Sequence, residues 1–253
     1  RLLGIDSAFK HIFSKGAHII VPQITTTRHV LTFFASDGRL FFMVPMGDRT
    51  CIGTTDTRVD NVVAEPTTDD VEFLLANANA LLALEKPLTR DDVIAQRCGV
   101  RPLVVKKDAR VGNAEWTALS RKHEIDIHPE RNMLSIYGGK LTDCINVGDE
   151  VAGIVQSFGI ELFQSLEPWY GGTEDVRFPT DAETVIGHFT RAELQYIAEH
   201  EMVMRLADFL RRRSRLELTI GREALRNDPG LHEAARILFG DEAEAEIARY
   251  FSR

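Results

Sequence analysis

Hydrophobic positions change their spacing part-way along the chain. From His18 to about Gly139 the apolar residues fall in short β-branched and aromatic runs, HIIVPQI, VLTFFAS, RLFFMVPM and TCIGTTD, divided by turn residues. Ser36-Asp37-Gly38 between two of these runs predicts a hairpin, because Gly accepts the positive φ of a tight turn. EIDIH and MLSIYGG flank a second turn at residues 128–132, and the apolar run from Val93 to Val105 predicts a further strand. One helix interrupts the strands. Thr67 and Asp70 stand at capping-box spacing, and Val71, Leu74, Leu75, Ala78, Leu81 and Leu82 follow as a stripe of helical period.

After Gly139 the period is helical. Leu141 to about Phe158 predicts a helix with Ile145, Val147, Val151, Ile154 and Val155 on its apolar face. Residues 159–187 hold Pro168, Gly171, Gly172 and Pro179 and read as a connection. A long helix is expected over 192–216, a short one over 222–226 and a last one over 231–251. The pattern predicts an α+β protein, with a β-rich region (residues 1–158) of helix laid over antiparallel sheet, then a helical C-terminal domain (residues 159–253).

Composition narrows the classes. At 253 residues, 44% hydrophobic and 27% charged, the chain is expected to bury an ordinary core. A formal charge of −8 argues against non-specific nucleic-acid binding, which needs excess Lys and Arg for the phosphates. Cys51, Cys98 and Cys144 show no CxxC or CxxH spacing, so no metal site is expected, and buried free thiols in a reducing compartment are. The longest apolar run, Leu40–Met46, is strand-length and far below the ~20 residues of a membrane span. With no basic-then-apolar leader, a cytoplasmic location is expected. The chain opens on Arg1 rather than Met, as expected of a piece of something larger.

Four places could carry chemistry. In Tyr137-Gly138-Gly139-Lys140-Leu141-Thr142 a strand ends in two glycines and a helix begins at once. Such a junction either points free backbone N–H groups and a positive helix end at an anion or simply punctuates a turn. Arg101 in GVRPL lies inside an apolar run and needs an anionic partner, either a ligand or a structural carboxylate. Thr54-Thr55-Asp56 offers two hydroxyls and a carboxylate at a strand end, where such groups often just satisfy turn backbone. His18 heads a strand, where it is structural or, by its chemistry, suited to proton transfer. A fifth feature, Arg211-Arg212-Arg213-Ser214-Arg215, reads as a membrane-surface patch or as a solvated helix end.

Taken in order, KGAHIIVP, IGTTD, GVRPL, LSR and YGGKLT resemble the FAD-dependent glycerol-3-phosphate dehydrogenase family, aerobic type, related to α-glycerophosphate oxidase among the amino-acid-oxidase-like flavoproteins. The resemblance runs from about Lys15 to Thr142, and the tail is similar to that family's helical C-terminal domain. It implies FAD as cofactor and oxidation of glycerol 3-phosphate to dihydroxyacetone phosphate. It also implies a quinone acceptor, a peripheral place on the inner face of the cell membrane and a homo-oligomer. His18 and Arg101 would form the catalytic set, and Thr54, Arg101, Arg121 and Lys140 would bind the substrate. Gly138, Gly139, Leu141 and Thr142 would face the cofactor. The family's N-terminal GxGxxG fingerprint is absent, and Asp143 stands at the helix start where it would compete with the flavin. Two other readings are a truncated, non-catalytic interaction module and a flavin oxidoreductase for another small anionic substrate.

Overall fold

A computed structural model describes residues 4–110, 112, 122–161, 178 and 183–252. The chain forms two compact units built from interleaved segments. The first comprises Arg1–Ala17, Thr55–Pro66 and Cys98–Gly171, the second His18–Thr54, Thr67–Arg97 and Gly172–Arg253.

In the second unit the sheet is antiparallel throughout. The latter half of β1 (Phe9–Pro22) and β2 (Leu31–Phe34), β3 (Leu40–Met46) and β4 (Arg49–Gly53) lie in the order β2-β3-β4-β1. The predicted Ser36–Gly38 turn closes the β2–β3 hairpin, with the Gly38 N–H donating to Ala35 O at 2.8 Å. Helix α1 (Thr68–Leu81) covers one face, burying Val71, Leu74, Leu75 and Ala78 against Ile19, Phe41, Met43 and Ile52. Its capping box forms as the spacing predicts: Asp70 N–H donates to the Thr67 hydroxyl, and Thr67 N–H donates to the Asp70 carboxylate at 2.8 Å.

The first unit takes the front half of β1, which pairs with β5 (Thr57–Val59) through Phe13 opposite Val59 and Lys15 opposite Thr57. β6 (Ala95–Lys106) enters it at Cys98. The hairpin of β7 (His123–His128) and β8 (Met133–Gly138) turns at Asn132, whose φ of 48° is left-handed. A 3₁₀ turn (Leu141–Asp143) then leads into α2 (Cys144–Ser157).

A second core in the second unit is helical. A small hairpin of β9 (Thr184–Ile186) and β10 (Phe189–Thr190) precedes α3 (Arg191–His200). After it come α4 (Leu206–Asp208) with a π turn (Phe209–Arg213), α5 (Leu216–Thr219), α6 (Arg222–Arg226), α7 (Pro229–Phe239) and α8 (Ala243–Phe251). Leu194, Leu206, Phe209, Leu210, Leu225 and Leu231 are fully buried here.

The structure corrects four expectations. The helix predicted over 192–216 breaks after His200: Met202 takes φ 51°, and the Arg213 guanidinium donates to Glu201 O at 2.9 and 3.1 Å. The break lets Val203 and Leu206 enter the core, a tertiary gain that helical periodicity cannot register. The helix predicted over 231–251 divides at Gly240, φ 56°, and the predicted connection over 159–187 ends in a strand, β9, that pairs with β10 just beyond it. Of the three thiols only Cys51 is buried, which raises its pKa, whereas Cys144 is exposed. Among the described residues no helix is long and apolar enough to cross a membrane.

Candidate active site

Arg101 is held from three sides within the first unit. Its Nη1 lies 3.4 Å from Asp56 Oδ1 and 3.4 Å from Ser14 Oγ, and the Ser14 hydroxyl itself donates to Asp56. Gly16 supplies the third side. A Cβ there would collide with the guanidinium, so the glycine makes room for the charge. Thr55 closes the base of this arrangement: its hydroxyl accepts from Ala17 N–H at 2.9 Å, and its own N–H donates to Ala17 O. Arg101 thus has a structural carboxylate, yet it keeps about a third of its side chain exposed. Ser14, Gly16 and Asp56 are partners that the sequence signalled only as neighbours in KGAH and GTTD.

Arg101 also lines a cavity of about 450 Å³, together with Lys122, Lys140, Gly139, Leu141 and the apolar Val100, Pro102, Leu103 and Val104. Three basic residues line this space, and none of its described lining residues is acidic. Its potential favours an anion despite the acidic chain. Lys122 was missed in the sequence; it ends a basic run with Arg121, which itself lies outside the described residues.

The wall at residues 138–142 has backbone where side chains would normally be. Gly138 and Gly139 take φ of 66° and 90°. A Cβ on Gly138 would come within 2.6 Å of Val104 Cγ2, and one on Gly139 within 3.1 Å of His123 Cβ. Only glycine fits both the torsions and the space. Both glycines and Thr142 are exposed, and Leu141 is 90% exposed. No side chain caps α2. The exposed glycines and the uncapped helix start suit the edge of a flavin, which carries negative charge when reduced.

Asp143 does not take that helix end. Its carboxylate accepts from Asn146 Nδ2 at 2.7 Å and meets His123 Nδ1 at 3.2 Å, while His123 Nε2 lies 2.8 Å from Glu150 Oε2. The Glu150 hydrogen bond raises the His123 pKa, burial opposes it, and Asp143 adds to the rise. Asp143 is held below its ordinary value, first by Asn146 and then, against burial, by His123. This clasp fixes the start of α2 to β7.

His18 and Thr54 belong to the second unit. His18 stands opposite Gly53 in the β1–β4 register, and a Cβ on Gly53 would meet the imidazole ring. Gly53 of IGTTD therefore exists to seat the histidine.

Comparison with known proteins fits this geometry. Residues 3–152 match the family described as FAD dependent oxidoreductase. The chain belongs to that family. It is 34% identical over 157 residues to glycerol-3-phosphate dehydrogenase 2 of Mycobacterium tuberculosis, covering 60% of this chain and 25% of that protein. It is 26% identical to the aerobic glycerol-3-phosphate dehydrogenase of Escherichia coli, covering 79% of this chain and 48% of the relative. A crystal structure of the glycerol-3-phosphate dehydrogenase from Bacillus halodurans, complexed with FAD, superposes over 97% of this chain and 56% of its own, at a TM-score of 0.62 and 23% identity. That likeness shows a shared fold, including the C-terminal helices. The resemblance read from the motifs is borne out, and the chain spans about half the length of these last two relatives.

Proposed function

We propose that this chain carries the substrate-gripping side of an FAD-dependent glycerol-3-phosphate dehydrogenase. The observation that carries the reading is the convergence of Arg101, Lys122 and Lys140 on one cavity beside the exposed Gly138–Gly139 backbone. FAD, when bound, supplies the hydride acceptor for oxidation of the secondary alcohol. Backbone of Gly138, Gly139, Leu141 and Thr142 would hold its ring edge.

Arg101 and Lys140, with Lys122 beside them, hold the phosphate dianion; Arg121 joins them in this reading. Two guanidinium forks and two ammonium groups suit a phosphate better than a carboxylate, which one bidentate Arg would satisfy. The Asp56 contact orients Arg101 while about a third of its side chain stays exposed. His18 is the proposed base for the hydroxyl proton, and Thr54 adds a polar contact. Delivery of electrons to a quinone at a membrane face completes the reading.

Calorimetric titration of the full chain tests it. Glycerol 3-phosphate should bind and glycerol should not, and Lys140→Ala should weaken binding about tenfold or more, as expected for a hydrogen bond to a charged group. Equal binding of both ligands, or no effect of Lys140→Ala, would overturn the assignment. Added FAD should be retained only weakly through gel filtration by this chain alone.

A further inference from the structure

The second unit holds a cavity of its own, of about 510 Å³, between the β3–β4 turn and the segment that follows the π turn. Its chemistry-bearing residues are Arg49, Arg215, His188 and Asp48. Arg49 is fixed in the wall. Its Nε donates to Thr219 O at 2.8 Å, its Nη1 pairs with Asp48 Oδ2 at 2.9 Å, and its Nη2 has no hydrogen bond among the described residues.

Arg215 is the unusual member. Its neighbours in the basic run are all neutralised: Arg211 pairs with Glu217 at 2.9 Å, Arg212 with Asp208 at 2.6 Å and Arg213 with Glu201 at 3.2 Å. Among the described residues Arg215 alone of the four has no carboxylate, and it is the one that lines the cavity. Its backbone sits at φ 61°, ψ 15°, a left-handed conformation that costs a non-glycine residue roughly 1 kcal/mol or more. The Arg215 carbonyl accepts from Leu218 N–H and Thr219 N–H at 2.9 and 3.2 Å, which holds it there. Opposite, Gly187 takes φ 58°, where a Cβ would come 2.6 Å from Leu216 Cδ2, and the imidazole of His188 lies tilted against the Phe189 ring, centroids 4.2 Å apart.

We infer that this cavity binds a phosphate monoester, separately from the Arg101 cavity. Two arginines, one with an open donor edge and one with no carboxylate partner among the described residues, line the same space with His188 beside them. In a chain of net charge −8 such an excess is local and built. Guanidinium forks match the tetrahedral oxygens of a phosphate, and the single carboxylate, Asp48, is already engaged by Arg49.

Inorganic phosphate titrated into the ¹⁵N-labelled full chain provides the test. Amide signals of Gly187, Arg215 and Thr219 should shift in a saturable way. Arg215→Gly, which glycine tolerates in the left-handed region, should weaken that midpoint about tenfold while leaving the melting temperature unchanged or higher. Vesicles containing phosphatidate form a second arm: Arg215-dependent co-sedimentation assigns the phosphate to a lipid headgroup, and its absence beside a soluble response assigns a free phosphate ester. The inference is overturned if neither probe acts through these residues, or if Arg215→Gly binds phosphate as the unaltered chain does.

Discussion

Helices α1 and α2 have the same length, 14 residues, and both carry an apolar stripe in the sequence, yet they are used in opposite ways. α1 drives its stripe into the sheet, with Leu74 fully buried, and closes its own first turn with the Thr67–Asp70 box. No residue of α2 is buried, Ile145 is 71% exposed, and no side chain caps its start. Helical period therefore reports a helix, whereas the cap reports its purpose. Where the first turn satisfies itself, the helix needs no outside partner; at α2 the first turn has no side-chain cap, and under the proposed function it meets the flavin.

The largest contrast should appear in stability. Leu74→Ala should cost about 2–5 kcal/mol in urea denaturation, the range for a buried leucine, while Ile145→Ala should stay within about 0.5 kcal/mol. A comparable loss at both positions would mean that α2 has a cover equivalent to the sheet. Gly139→Ala comes next, at about 1–3 kcal/mol, because φ 90° and the approach to His123 both oppose a Cβ. Thr67→Ala should cost about 1 kcal/mol through loss of the cap, and Thr142→Ala at the start of α2 should cost less than half as much.

The smallest effect is in pH. His123 has a raised pKa, so the stability contributed by Glu150 and Asp143 is fully present below the unfolded value of about 6.5 and is lost as pH rises through the folded value. Melting curves at about pH 6 and pH 9 should therefore separate the wild type from His123→Gln at the lower pH and bring them together at the higher. Separation that grows with pH would reverse the sign and remove the clasp from the account.

Much of this was legible in the chain because local chemistry decides it. The Thr67–Asp70 spacing, the Ser36–Gly38 turn and the β7–β8 hairpin depend on residues within a few positions of one another. Arg101, Lys140 and the Gly138–Gly139 junction were also visible, since a lone arginine among valines and a strand ending in two glycines are uncommon patterns. What was hidden depends on distant partners. Asp56 and Ser14 reach Arg101 across 45 and 87 residues, and the break at Met202 is held by an arginine 12 residues beyond the carbonyl it grips. Lys122 carries no such signal, because a basic residue in a basic run has no pattern of its own until the fold puts it beside a glycine.

Under the proposed function the cations around the α2 junction grip the phosphate of the substrate. Residue-resolved spectra of the full chain titrated with glycerol 3-phosphate address it directly. The account predicts saturable shifts at the Gly139, Lys140 and Lys122 amides that vanish in an Arg101→Ala, Lys140→Ala double variant. Shifts that bypass these three residues, or that survive the double variant, would contradict it.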